Sequence, residues 1–255
     1  MSFTTNSKSG EFRKPKYILR KMFDQVIGVI KEPEDHNQFK APESVMNSDV
    51  FIAGGACRAA FAGEQISDLD IYFKNGESFT KFKAKIEEYY KPLFTSDNAI
   101  SYETDNKLKF QLIKKIFDYP ENVMAQFDFT ICMCSYTPAL DLIQMHDNFM
   151  EHVAGRMLVF NPDAKYPINS LFRAHKFIKK GYKISAIEWI KLGLKCNQLN
   201  LLNYAVLKEQ LEGIDTVFLK NFTDNLKDKA EKEYDFNEFM GMMDEYLNDK
   251  FGIEE

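Results

Sequence analysis

The sequence predicts an α+β fold in which strands and helices form a mixed sheet, followed by a helical C-terminal domain. Between residues 50 and 136, short runs with strand composition flank an amphipathic helical pattern at about residues 77–90. These runs are VFIAG, DLDIYF, AISYET, LKFQLIKKI and QFDFTICMCSY. Beyond Pro138 the strand signal fades, and apolar residues recur at the spacing of helices.

Length and composition set the size and the parts of this fold. The chain has 255 residues, of which 45% are hydrophobic, and this is enough to bury a sizeable core. A helical pattern from about Lys16 to Lys31 precedes the strands. We predict an N-terminal polar segment and helix in residues 1–44, a head domain in residues 45–137, and a helical domain with an acidic tail in residues 138–255.

The charge distribution leaves contact with nucleic acid open, although the net charge is −5. Residues 224–255 hold eleven Asp or Glu against four Lys, so the rest of the chain is weakly basic. Local basic patches, and not the net charge, decide whether a protein contacts a phosphate backbone. No stretch approaches the roughly 18 apolar residues of a membrane span, and the N-terminus lacks the apolar core of a signal peptide. We therefore expect a cytoplasmic protein without a membrane partner.

Two carboxylates in DLDIYF are the first candidate site. Alternate side chains of a strand share a face, so Asp68 and Asp70 project together while Leu69 and Ile71 point the other way. Side-by-side carboxylates repel, and a divalent cation such as Mg²⁺ or Mn²⁺ relieves that repulsion. A pair of aspartates at a solvated strand end is the alternative interpretation.

Asp128 is the second candidate, because it is the only charge in the apolar run QFDFTICMCSY. An ionised carboxylate in such a run needs a partner, and either a neighbouring metal site or hydrogen bonds at a strand start would supply one. Three aspartates on adjacent strands would hold two metal ions about 3.5–4 Å apart, an arrangement suited to phosphoryl transfer.

Gly54 and Gly55 form the third candidate, because they lie between a short apolar strand and the helix-forming stretch ACRAAFAG. Glycines there permit a tight turn and let backbone N–H groups approach a phosphate at a helix start. Arg58, about one turn later, would add a charge-assisted contact. An ordinary turn is the alternative interpretation, and no P-loop or dinucleotide-binding pattern is present.

Together these residues resemble the DNA polymerase beta nucleotidyltransferase superfamily, and their spacing is similar to the branch of class II tRNA nucleotidyltransferases (CCA-adding enzymes) and bacterial poly(A) polymerases. Three motifs occur in family order. They are Gly54-Gly55 with Arg58, Gly63 and Asp68-Leu69-Asp70-Ile71; Asp128-Phe129-Thr130-Ile131 with Tyr136; and Leu171-Phe172-Arg173-Ala174 with Phe177, Gly181 and Tyr182.

The resemblance implies that residues 45–137 are a nucleotidyltransferase head domain. It implies an enzyme that moves an NMP from an NTP such as ATP and releases pyrophosphate at a two-metal Mg²⁺ site. Asp68 and Asp70 would bind the metal ions, and Asp128 would be a third catalytic carboxylate or a structural residue. The nucleotide-binding residues would be Gly54, Gly55, Arg58, Ser67, Arg173 and Lys176.

The chain departs from the family pattern at several positions. Where the family has Arg-Arg-Asp, this chain has Gln126-Phe127-Asp128, and Cys132 replaces an asparagine. Lys176 replaces an arginine of the third motif. No arginine follows Arg173, so the Asp/Arg pair with which CCA-adding enzymes select the base has no candidate here.

We therefore expect a template-independent nucleotidyltransferase that binds RNA and acts on an RNA 3′ end similar to that of tRNA. Such an enzyme would take part in tRNA processing. Two alternatives remain open. In the first alternative, the acceptor is a hydroxyl of a protein or a small molecule. In the second, the chain is a non-catalytic module that binds nucleotide or RNA.

Overall fold

The computed structural model describes residues 1–6, 12–28, 45–211 and 235–251, and it has the α+β architecture that the sequence predicts. The strands of the described residues are β1 (Phe3–Asn6), β2 (Val50–Ala53), β3 (Asp68–Phe73), β4 (Phe94–Thr95), β5 (Ala99–Glu103), β6 (Lys109–Phe117), β7 (Cys134–Thr137), β8 (Leu142–His146), β9 (Met157–Leu158) and β10 (Lys183–Ile184). The helices are α1 (Arg13–Ile27), α2 (Gly55–Ala62), α3 (Gly76–Glu87), α4 (Pro120–Met124), α5 (Phe149–Ala154), α6 (Pro167–Lys179), α7 (Ala186–Cys196), α8 (Tyr204–Leu211) and α9 (Phe236–Phe251).

The main sheet has eight strands in the order β1-β8-β7-β2-β3-β6-β5-β4. Neighbouring strands are antiparallel, except that β3 and β6 run parallel. The chain divides into two compact units, Met1–Ala164 and Lys165–Glu255. The sheet of the first unit takes in β1 and β8, which lie on either side of the range 45–137 that the sequence predicts for the head domain.

The two faces of the sheet differ at β3, in the alternation that the sequence predicts. The apolar face of this strand is fully buried and consists of Leu69, Ile71 and Phe73. Burial of each such side chain contributes about 1.5–3 kcal/mol to folding. Phe73 packs edge-on against Phe82 of α3, with ring centroids 5.4 Å apart. Asp68 and Asp70 are partly exposed on the opposite face.

The stretch QFDFTICMCSY is a strand only at its end. Residues Thr130–Cys132 form a 3₁₀ turn, and β7 begins at Cys134. Every residue from 128 to 138 is buried, because the stretch is covered on both sides, so the apolar alternation in the sequence does not mark an exposed face. The Thr130 hydroxyl contacts Nδ1 of His152 at 2.6 Å, which stabilises the turn against α5.

The second unit is described by itself and is mainly helical. Its apolar core consists of Tyr204, Leu207, Leu211 and Phe239, with Met242 and Met243 of α9 packed against them. The end of the helix predicted from Lys16 to Lys31 lies outside the described residues, as do residues 212–234 and 252–255 of the predicted helical domain and its tail. Among the helices that the structure describes, none combines the length and apolar content needed to cross a membrane.

Candidate active site

The carboxylates of Asp68 and Asp70 lie at the start of β3, on its partly exposed face. The parallel register with β6 places Lys109 beside Asp68 and Gln111 beside Asp70. Paired residues of neighbouring strands share a face, so the carboxylates lie within a polar strip of the sheet. Two hard oxygen donors that share one open face are a donor set suited to Mg²⁺.

The glycine turn lies next to these carboxylates. Strand β2 is antiparallel to β3 with Ile52 opposite Ile71, so the next step of the register sets Ala53 beside Asp70. Gly54 follows immediately as the residue that caps α2, and its N–H donates to the Cys134 carbonyl at 3.0 Å. The structure therefore brings the two glycines and the two aspartates of the first motif together.

The two glycines differ in what a side chain would meet. Gly54 has φ 84° and ψ −130°, a backbone conformation that side chains of L-residues disfavour. Gly55 has an ordinary φ, and a Cβ added to it would meet no heavy atom within 4 Å. Space is therefore open at the first turn of α2, where backbone N–H groups and the helix dipole favour an anion such as a phosphate. These residues fit an NTP with its divalent metal ion.

Ser67 immediately precedes the carboxylate strand, and its side chain is exposed. Its hydroxyl donates a hydrogen bond to Oδ1 of Asp68. This bond restricts the orientation of the Asp68 carboxylate. The structure thus gives Ser67 a contact with a predicted metal ligand, while its contact with a nucleotide stays a prediction.

The Arg58 guanidinium lies in a buried ion pair. Only 4% of its side chain is exposed, and its Nη1 is 2.5 Å from Oε2 of Glu64. The other carboxylate oxygen of Glu64 is 3.4 Å from Nη1 of Arg156. Glu64 follows Gly63, which ends α2 with φ 68°, so the pair stabilises the C-terminal end of the helix and not its first turn. The nucleotide contact of Arg58 stays a prediction.

Asp128 does not form a three-carboxylate cluster with Asp68 and Asp70. Across residues 1–6, 12–28, 45–211 and 235–251, no group of three or more His, Cys, Asp or Glu side chains is placed to hold a metal ion. Asp128 lies in a bend between α4 and the 3₁₀ turn, and not on a strand of the sheet as the sequence predicts. Asp128 is buried, and its carbonyl accepts a hydrogen bond from the Asn161 N–H at 2.8 Å.

Tyr136, the last residue of the second motif, has a structural contact. Its hydroxyl donates to Oδ1 of Asp141 at 3.0 Å. Burial and this hydrogen bond raise the pKa of Tyr136 well above its usual value, so the hydroxyl stays a donor at neutral pH. The Lys16 ammonium donates to the carbonyl of Asp141 at 2.7 Å, which stabilises the packing of α1 against this turn.

Arg173 and Lys176 lie on α6, in the second unit. The guanidinium carbon of Arg173 is 5.7 Å from the ring centroid of Phe177, one turn further along the helix. Lys176 is exposed. The contacts of both residues with a nucleotide stay predictions.

The sequence reasoning did not identify Asn161, which organises the second motif. Its side chain is buried, and its Nδ2 donates to the carbonyls of Ala125 and Phe127, both at 2.8 Å. Its Oδ1 accepts from the N–H of Asp163, which closes an Asx turn. The stretch Asn161-Pro162-Asp163 is typical of such a turn, but it carries no information about partners more than 30 residues away.

Replacing Asn161 with alanine is expected to lower the free energy of unfolding by about 2 kcal/mol, because two carbonyls lose their donor inside the protein. Chemical denaturation measures the loss. Asn148→Ala is the matched control, since Asn148 is exposed and makes no side-chain cap to α5. We expect this control to change stability by less than about 0.5 kcal/mol. Equal effects of the two substitutions would contradict the anchoring role of Asn161.

The architecture is that of the nucleotidyltransferases. The Thermotoga maritima CCA-adding enzyme complexed with tRNA superposes with a TM-score of 0.54 at 13% identity, covering 96% of this chain and 70% of that chain. A complex of CCA-adding enzyme with ATP superposes with a TM-score of 0.53 at 14% identity, covering 93% of this chain and 60% of that chain. A tRNA nucleotidyltransferase with a primer tRNA and an ATP analogue superposes with a TM-score of 0.50 at 14% identity, covering 81% of this chain and 68% of that chain. The chain therefore has the nucleotidyltransferase fold, which confirms the fold predicted from the sequence.

A family model described as Gabija anti-defense 2 family protein matches residues 18–156, more than half of the chain, including both the glycine turn and the carboxylate strand. The chain belongs to this family. A curated relative, Gabija anti-defense 2 of Bacillus phage SPbetaL7, is 31% identical over 196 residues. The match covers 76% of this chain and 48% of the relative, so the chain spans about half the length of that relative.

Proposed function

We propose that the chain is a template-independent nucleotidyltransferase that moves an NMP from an NTP to a hydroxyl and releases pyrophosphate. One observation carries the proposal. The Asp68 and Asp70 carboxylates share an open face of β3, directly beside a glycine turn with free space at the start of α2. A carboxylate pair next to a phosphate-binding turn is what metal-assisted phosphoryl transfer requires.

In the proposed mechanism, the backbone N–H groups at the start of α2 bind the phosphates of the NTP. Asp68 and Asp70 would hold Mg²⁺ (or Mn²⁺), which would supply charge neutralisation for phosphoryl transfer. Ser67 orients the Asp68 carboxylate through its hydrogen bond. Asp128 acts from its buried turn as a structural residue, held by Asn161. Arg58, Arg173 and Lys176 remain proposed nucleotide contacts.

The acceptor that we propose is an RNA 3′ end. Similar structures hold tRNA together with this fold, which supports RNA as the partner class. A protein hydroxyl is the second candidate, and membership of the Gabija anti-defense 2 family favours it. Transfer of an NMP to a component of a defence system would be one way to inactivate it. We propose that the reaction occurs in the cytoplasm, where NTPs and Mg²⁺ are available.

The test is one series of incubations of the purified chain with each α-labelled NTP and Mg²⁺, in the presence of either total RNA or cell lysate. We expect label on RNA with one or more nucleotides, and no label once EDTA removes the metal ion. Label on a protein band instead would support the second acceptor. Absence of any Mg²⁺-dependent product would contradict the proposal and favour a non-catalytic binding module.

A biological test addresses the family membership. Cells that carry a Gabija system are challenged with a sensitive phage, with and without expression of the chain. We expect the chain to restore phage growth, and we expect the variant with both Asp68→Asn and Asp70→Asn to lose this effect. Equal rescue by the chain and the double variant would separate the anti-defence effect from nucleotide transfer.

A further inference from the structure

Phe127 lies beside the glycine turn, on the sheet face that carries Asp70. A ring carbon of Phe127 is 3.7 Å from the position that a Cβ on Gly54 would occupy. Its ring centroid is 6.0 Å from that of Tyr72, which follows Asp70 by two residues on β3 and so shares its face. Phe127 is partly exposed at the rim of a small apolar cluster. An aromatic ring therefore adjoins both the phosphate-binding turn and the carboxylate strand.

The backbone that carries this ring is held in place by hydrogen bonds. Asn161 donates to the carbonyls of Ala125 and Phe127, and its own N–H donates to the carbonyl of Asp128. The Phe127 N–H donates to the Met124 carbonyl at the end of α4. A ring on such a backbone is preorganised, so a ligand loses little free energy in ordering it.

The chemistry of Phe127 differs from that of the surrounding site. The adjacent turn and carboxylates suit phosphates and cations, whereas a benzyl side chain offers neither a charge nor a hydrogen bond. An aromatic face suits the flat base or the apolar face of a ribose. An NTP joins these two chemistries in one molecule, because its nucleoside is covalently attached to its phosphates.

We propose that Phe127 is a nucleoside-binding residue that contacts the nucleoside of an NTP whose phosphates are bound at the glycine turn. This inference rests on the proposed function and extends it. Aromatic contacts to nucleosides tolerate different bases, because every base presents a π-face. Affinity for the nucleoside then derives from ring contact and not from a hydrogen-bonded reading of the base edge.

The test compares ATP, UTP and inorganic tripolyphosphate, which lacks a nucleoside, by calorimetric binding to the full chain in Mg²⁺. Phe127→Leu keeps an apolar side chain but removes the ring, and Phe127→Tyr keeps the ring. We expect Phe127→Leu to weaken ATP binding about tenfold and tripolyphosphate binding less than about twofold. Phe127→Tyr should bind ATP within about twofold of the unmodified chain. A larger loss for ATP than for UTP would identify the base as the contact, and equal losses would identify the ribose.

Phe79→Leu is the matched control, because Phe79 is also partly exposed. It lies on α3 and packs against Phe117 at the end of β6. We expect it to leave both affinities unchanged. Parallel losses of ATP and tripolyphosphate affinity in Phe127→Leu would overturn the inference, since they would assign Phe127 to shaping the turn. Unchanged ATP affinity would overturn it as well. If the unmodified chain binds neither ligand, the proposed function itself fails, and this result is distinct from a failure confined to Phe127.

Discussion

Asp68→Asn and Asp70→Asn are each expected to reduce nucleotide transfer by at least about a thousandfold. Asparagine keeps the size of the side chain but removes the negative charge that binds a divalent cation. Both side chains are partly exposed, and the alternating apolar residues Leu69 and Ile71 remain buried, so we expect the fold to persist. The measurement is the initial rate of transfer from α-labelled NTP at saturating Mg²⁺.

Stability provides the second measurement on these variants. Two carboxylates on one strand face repel each other, so removal of one charge should leave the unfolding midpoint unchanged or slightly raised. Glu103→Gln is the matched control, because the register places Glu103 of β5 opposite Lys109, which in turn is opposite Asp68. This substitution also removes one negative charge from the same sheet face, but two strands away from Asp68. Full transfer activity in both aspartate variants would refute the metal-site assignment.

Alanine substitutions at Gly54 and Gly55 are expected to change different properties, the stability of the protein at Gly54 and the binding of ATP at Gly55. Gly54→Ala should lower the free energy of unfolding by about 3 kcal/mol, because φ 84° with ψ −130° is strained for any residue with a Cβ. Gly55→Ala should leave stability nearly unchanged, since its Cβ would meet no heavy atom within 4 Å. The same methyl group would occupy the space proposed for a phosphate, so we expect the affinity for ATP to fall about a hundredfold.

Chemical denaturation and calorimetric binding of ATP in Mg²⁺ measure the two effects on the same preparations. Gly193→Ala on α7 is the control, because a Cβ there also meets no heavy atom within 4 Å. It should change neither quantity, apart from a slight gain from the better helix propensity of alanine. Wild-type ATP affinity in Gly55→Ala would show that the start of α2 does not bind the phosphates.

The local parts of the fold and the site were predictable from the sequence. The alternation in DLDIYF predicts that Asp68 and Asp70 share a face, and the structure confirms this arrangement. The same kind of pattern misled in QFDFTICMCSY, where a 3₁₀ turn precedes a short strand. An alternating pattern indicates a strand with one exposed face, but residues 128–136 of this stretch are all buried, so their residue types do not report the backbone conformation.

The sequence by itself determined the α+β class, the adjacency of a glycine turn to a carboxylate strand, and the order of the motifs, because each depends on residues close together in the chain. Tertiary structure alone decided that Asp128 lies in a buried bend and not on a strand, that Arg58 pairs with Glu64, and that Asn161 holds the turn bearing Phe127. These outcomes depend on side-chain direction and hydrogen bonds between distant segments. Local periodicity carries no information about them, since the same pattern is compatible with many partners.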